Sequence, residues 1–70
     1  MDCQGKSSWP ELVGVDGNLA AATVERENPL VRAEIVLEGT IVPIEIMAVC
    51  GRVRIWVNRR GRVTRVPVQE

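Results

Sequence analysis

Residues 30–58 read LVRAEIVLEGTIVPIEIMAVCGRVRIWVN, and the fold turns on how this stretch divides. Its two ends alternate with the period of a strand. In residues 31–37, Val31, Ala33, Ile35 and Leu37 share one face, while Arg32, Glu34 and Val36 take the other. In residues 52–58, Val53, Ile55 and Val57 lie on one face, with Arg52, Arg54 and Trp56 opposite. Between these runs TIVPIEIMAVC, residues 40–50, is strongly apolar. It reads either as a third core strand or as an exposed loop. Pro43 cannot donate to a ladder, and Glu45 is costly in a core. Three strands, a helix and two tryptophans already supply the core that so short a chain can hold. The segment is therefore read as an exposed apolar loop, and exposed apolar surface marks binding sites.

Outside this stretch the signals are local. Residues 1–15 are irregular, punctuated by Pro10 and Gly14, and the indole of Trp9 is expected to pack into the core. Asp16 reads as the N-cap of a helix over GNLAAATVEREN that ends where Asn28 precedes Pro29, about eleven residues in all. Leu19, Ala20, Thr23 and Val24 give it an apolar stripe. Beyond the second strand, Asn58–Arg59–Arg60–Gly61 is a turn in which Gly61 suits a positive φ. Residues 62–67 then return as a short final strand.

Size and composition narrow the function. Seventy residues, 46% of them hydrophobic and 26% charged, make one domain with a core. A chain this short buries only about 60% of its unfolded surface, so it needs a staple. No apolar run is long enough to span a membrane, and no signal peptide is visible at the N-terminus. The sequence contains no His, which removes Ser-His-Asp and Cys-His catalysis and most zinc sites. No cofactor or metal is expected, and the chain does not read as an enzyme. Cys3 and Cys50 are too few for a four-cysteine zinc site and too far apart for a C-x-x-C pair. They are either two unrelated buried thiols or one bridge, which would stabilise the fold by about 4 kcal/mol. A bridge would place the protein in an oxidising compartment, secreted or vacuolar.

Charge is uneven. The nine basic and nine acidic side chains cancel, yet residues 1–50 hold three basic against eight acidic groups, a net of −5. Residues 51–70 hold six arginines against Glu70, a net of +5.

Four blocks in order, KSSWPELVG at 6–14, ERENP at 25–29, EGTIV at 38–42 and RVRIWVN at 52–58, resemble the potato inhibitor I family of serine protease inhibitors. The resemblance covers essentially the whole chain. It implies an α+β fold, one helix packed on a small mixed sheet whose two main strands run parallel. A long exposed reactive-site loop, about 39–51, joins those strands within a single domain at 1–70. It implies a monomer whose partner is a serine protease, entered by the loop in substrate-like form and cleaved very slowly. Some members carry a disulfide at the positions of Cys3 and Cys50. In the family, arginines matching Arg52 and Arg54 reach up to the loop, here toward Glu45 and loop carbonyls. The fork of an arginine suits that role because it fixes several donors.

The reactive bond has two readings. Aligned from the N-terminal side, Ile44 takes the primary-specificity position and Glu45 follows the scissile bond, with Thr40, Ile41, Val42 and Pro43 leading into it. Aligned from Cys50 and Arg52, the bond is Ile46–Met47. The segment is thus two residues longer than in the disulfide-bearing members. Ile44–Glu45 is the preferred assignment, and a β-branched Ile points to elastase-like or subtilisin-like enzymes, with weak trypsin inhibition. A second departure is the ending VPVQE. Two alternatives stand beside inhibition. One is a structural or storage protein on the same fold with inhibition lost. The other is weak nucleic-acid binding through the Arg-rich C-terminal hairpin, which the zero net charge opposes. Neither nucleic acid nor a membrane is expected as a partner, and the four arginines Arg59, Arg60, Arg62 and Arg65 are read as solvated surface.

Overall fold

The computed structural model describes residues 3–43 and 50–70. In chain order it has a single 3₁₀ turn at Pro10–Leu12, helix α1 (Gly17–Glu27), strand β1 (Arg32–Leu37) and strand β2 (Arg52–Val57). The helix starts where its cap chemistry directs. The Asp16 carboxylate accepts from the backbone N–H of Asn18 at 3.1 Å and of Leu19 at 3.2 Å, satisfying two of the free donors of the first turn. Asn28 closes the helix, its N–H returning to the Val24 carbonyl, and Pro29 forbids continuation.

β1 and β2 pair in parallel, in the register Arg32↔Arg52 through Leu37↔Val57. Parallel neighbours cannot be joined by a tight hairpin and need a crossover of a dozen or more residues. Here the crossover is the 38–51 segment. Helix α1 packs on one face of the pair, and the buried apolar set comprises Trp9, Leu12, Ala20, Val24, Val31, Val53, Ile55, Val57 and Val63. Each large aliphatic side chain buried here contributes roughly 1.5–3 kcal/mol. Trp9 is fully buried, as its sequence context suggests, and its indole N–H donates to Glu27 Oε1 at 2.9 Å.

Three sequence expectations are corrected. The buried stripe of α1 runs through Gly17, Ala20 and Val24, not through Leu19, which is 58% exposed. Two residues on from Gly17 is about 200° around the helix, so once Gly17 faces the sheet Leu19 must face solvent. Gly17 approaches closely, since a Cβ there would lie 2.7 Å from Val57 Cγ1. The apolar face of residues 31–37 is covered only in its first half, where Ala33 packs half-buried against the core. Val31 is buried, whereas Ile35 and Leu37 stand about half exposed, because Ile35 lies against Gly17, which brings no side chain to cover it. Finally, residues 62–67 do not form a continuous strand. The return is a pair of separate antiparallel bridges, Val57↔Val63 and Val53↔Gln69. Between these bridges β2 advances four steps and the returning chain six, so the two do not keep a continuous register across Pro67. That residue has no N–H to offer β2, and its carbonyl accepts from Trp9 N at 2.9 Å instead. The turn itself is as expected. Asn58 Oδ1 accepts from the N–H groups of Arg60 and Arg62, and Gly61 has φ +78°.

Candidate functional site

The crossover leaves β1 at Glu38. Its N–H donates to the Val57 carbonyl at 2.8 Å, and Thr40 N turns back to Leu37 O at 3.0 Å. The Glu38 carboxylate is gripped from the returning chain. Arg65 donates to both oxygens, Nε to Oε2 and Nη2 to Oε1, each at 2.8 Å, and the Thr64 hydroxyl also donates to Oε2. Paired N–H···O bonds of this kind fix direction as well as distance. The guanidinium stands over the Trp56 ring, 4.1 Å from its centroid. Hydrogen bonds from Arg65 first, then Thr64, hold the Glu38 carboxyl below its ordinary range, and Glu38 in turn raises Arg65. Arg65 is therefore not the plain solvated arginine expected from the sequence. Trp56, on the face opposite the core, is 7% exposed with Arg65 stacked upon it.

From this anchored base the chain runs into solvent. Thr40 and Pro43 are exposed, Val42 is half-buried, and Ile41 is 96% exposed. An isoleucine so bare on a small domain has nothing to do with packing. Ile44, Glu45, Ile46 and Met47, the candidate scissile residues, lie outside the described residues.

The crossover rejoins the sheet at Cys50 and Gly51. Cys3 and Cys50 form a disulfide, with Cα atoms 5.3 Å apart, which decides between the two readings of the thiols. Gly51 O accepts from Arg32 N at 2.8 Å. Gly51 N donates to Gln69 Oε1 at 3.0 Å. Arg52 and Arg54 follow on the face of β2 that carries Trp56. Arg52 Nε donates to the Glu70 carbonyl at 3.0 Å, and Arg54 Nη1 lies 3.9 Å from Glu70 Oε1 with its side chain only 11% exposed. Both arginines make contacts beyond these. The expected acceptor Glu45 lies outside the described residues.

Behind this base the N-terminal segment is held by Asn28, which is 2% exposed. Its amide donates to the carbonyls of Gln4 and Lys6 at 3.0 and 2.9 Å and accepts from Leu30 N at 3.0 Å. Gly5 makes the approach possible, because a Cβ there would lie 2.7 Å from Asn28 Nδ2. Lys6 then bridges Glu11 and Glu27 at 2.6 and 2.8 Å, lowering both carboxyls.

The sequence reading missed Glu38, Thr64, Arg65, Asn28 and Gln69. The Glu38–Arg65 pair spans 27 residues and has no local signature. Gln69 and Glu70 showed only as an unfamiliar ending. Among the described residues, no group of three or more His, Cys, Asp or Glu could hold a metal, and no helix is long and apolar enough to cross a membrane.

Comparison with known proteins agrees with this geometry. A family model described as "Potato inhibitor I family" matches residues 2–69. An inhibitor of trypsin and Hageman factor from Cucurbita maxima is 57% identical over 65 residues, 93% of each chain. A Glu S.griseus protease inhibitor from Momordica charantia is 55% identical over the same length, again 93% of each chain. The crystal structure of bitter gourd trypsin inhibitor superposes over 100% of both chains with a TM-score of 0.88 at 50% identity. Helix, parallel strand pair and sequence all agree: this chain belongs to the potato inhibitor I family.

Proposed function

We propose that this protein inhibits serine proteases by offering the 39–51 segment to the active-site cleft as a substrate held at both ends. The observation that carries the reading is the contrast between Ile41, 96% exposed, and the two anchored bases on either side of it. A segment fixed beforehand loses less entropy on binding. After cleavage, anchored ends stay together, which favours religation over product escape. Pro43 restricts φ and stiffens the approach.

Ile44–Glu45 is our assignment of the reactive bond, with Ile46–Met47 second, and Thr40, Ile41, Val42 and Pro43 as contacts on the N-terminal side. A branched aliphatic residue at the primary position favours elastase-like or subtilisin-like enzymes over trypsin. Two relatives more than half identical to this chain are named for different targets, trypsin and Hageman factor in one case and "Glu S.griseus protease" in the other. Specificity thus changes while the scaffold is kept. The protein acts as a monomer in an oxidising compartment, secreted or vacuolar, where the disulfide persists.

The test is titration against trypsin, chymotrypsin, elastase and subtilisin, followed by sequencing of any fragment. Inhibition of elastase or subtilisin at lower concentration than trypsin is expected, with a fragment beginning at Glu45. A fragment beginning at Met47 moves the bond to Ile46–Met47. No inhibition of any of the four overturns the proposal in favour of a family fold without inhibition.

A further inference from the structure

The disulfide is not alone in tying the N-terminal segment to the end of the crossover. Beside it, one side chain makes the same connection without covalent chemistry. Gln69 Oε1 accepts from Gly51 N at 3.0 Å, while Gln69 Nε2 donates to the carbonyls of Gln4 and Lys6, each at 3.1 Å. These partners flank the bridge directly, since Gln4 follows Cys3 and Gly51 follows Cys50. The backbone of Gln69 is itself fixed, its N–H donating to Ser7 O at 3.0 Å, so the amide is presented and not left to search.

We propose that Gln69 is a noncovalent latch in parallel with Cys3–Cys50, a positioning residue that holds the C-terminal base of the crossover to the N-terminal segment. A primary amide suits this place because it has donors and an acceptor on one rigid plane. The acceptor takes the crossover and the donors take the N-terminal segment, so one group spans two segments that, among the described residues, share no backbone hydrogen bond there. A carboxylate would repel the two carbonyls, and an aliphatic side chain would leave Gly51 N–H without this partner. Redundancy has a consequence. Reduction of the disulfide removes the covalent tie, and the base of the crossover stays closed as long as Gln69 remains. As a determinant of inhibition, the latch rests on the reading of the 39–51 segment as the protease-binding loop.

The experiment separates the latch from that reading. Gln69→Leu is made in the native protein and in the Cys3→Ser/Cys50→Ser background, and amide exchange at Gly51 is followed by NMR in all four proteins. A recess of about 270 Å³ lined by Gln4, Leu30, Cys50, Gly51 and Gln69 borders this amide, so solvent lies close once the bond opens. Exchange at Gly51 should rise at least about fivefold with Gln69→Leu, the size of one lost hydrogen bond. The rise should be larger in the disulfide-free background, while core amides such as Ile55 stay within about twofold in each pair, normalising for overall stability. Equal effects in the two backgrounds, or no local rise at Gly51, overturn the latch. Cleavage of the loop by subtilisin is the second readout. In a protein that inhibits, Gln69→Leu should accelerate cleavage more without the disulfide than with it, and an unchanged rate overturns the positioning role. Should the parent protein inhibit no serine protease, the functional reading falls, and Gly51 exchange still decides the latch.

Discussion

Reducing Cys3–Cys50 isolates how a chain this small is kept folded. The bridge closes a loop of sequence separation 47. In the chain-entropy account this constraint on the unfolded chain is equivalent to about 4 kcal/mol at 25 °C. A chain of 70 residues unfolds with an entropy of about 0.15 kcal/mol/K near 60 °C, so the melting temperature should fall by roughly 25 °C. That would remove much of the stability of an ordinary small domain. The folded state should change little below its new melting point. Asn28 and Gln69 hold the Gln4 and Lys6 carbonyls without help from the sulfurs. Calorimetry of the oxidised protein and of Cys3→Ser/Cys50→Ser measures the shift, and NMR at low temperature compares the two folds. A fall of less than about 5 °C with both cysteines replaced would refute the argument that the bridge acts on the unfolded chain. A large fall accompanied by loss of the native signals of Asn28 and Gln69 at low temperature would refute it differently, by making the bridge the support of the folded base.

Other outcomes follow from single contacts. Gly17→Ala should destabilise by about 1–3 kcal/mol, because the added methyl meets Val57 Cγ1 at 2.7 Å and outweighs the roughly 1 kcal/mol that Ala gains in helix propensity; a rise in the urea midpoint would show that the helix shifts freely. Stability should fall in acid. Glu11, Glu27 and Glu38 all have folded-state pKa values below the ordinary 4.5, so their contribution is complete above pH 4.5 and is lost as the pH drops through the lowered values. Urea midpoints that stay level from pH 5 to 2.5 would contradict this, and the raised Lys6 predicts a matching loss only as the pH climbs past 10.5. Glu38→Gln should quicken loop cleavage about two- to fivefold, the size of an exposed ion pair, with equal cleavage rates counting against a role at the base. Arg54→Ala should quicken it about tenfold or more, as expected for a charged hydrogen-bonding group, and unchanged cleavage would remove Arg54 from the support of the loop.

Much of the scaffold was readable because its signals are local. Asp16 and the Asn28–Pro29 pair bound α1 through capping and the clash before proline, which act within one turn. Alternation in RVRIWVN gave β2 its two faces. The misreadings arise where a distant partner decides. Leu19 looked like core until Gly17 was found against Val57, and Ile35 looked covered until its neighbour proved to be a glycine. The last strand failed because Pro67 turns its carbonyl to Trp9, a choice made 58 residues away in the chain. At the site, the ends of the loop followed from the strand boundaries, and the Cys3–Cys50 pairing from family resemblance. The grip of Arg65 on Glu38 and of Gln69 on Gly51 joins residues with no periodic relation, so neither could be read from spacing.

The charge asymmetry also takes its meaning from these contacts. An acidic first part at −5 and a basic last part at +5 invite a polyanion partner. Part of this charge is paired within the chain, at Lys6 with Glu11 and Glu27 and at the two ends of the crossover. Glu38, from the acidic part, is held by Arg65 at the first base. At the second base Glu70, the one acid of the basic part, meets Arg52 through its carbonyl and Arg54 through its carboxylate. Arginine serves both places for the same reason, since a planar fork can fix a direction where an ammonium fixes only a distance. Arg59, Arg60 and Arg62 are exposed at the turn after β2. Three of the six arginines of the C-terminal part, Arg52, Arg54 and Arg65, are thus engaged within the chain, at the two ends of the crossover.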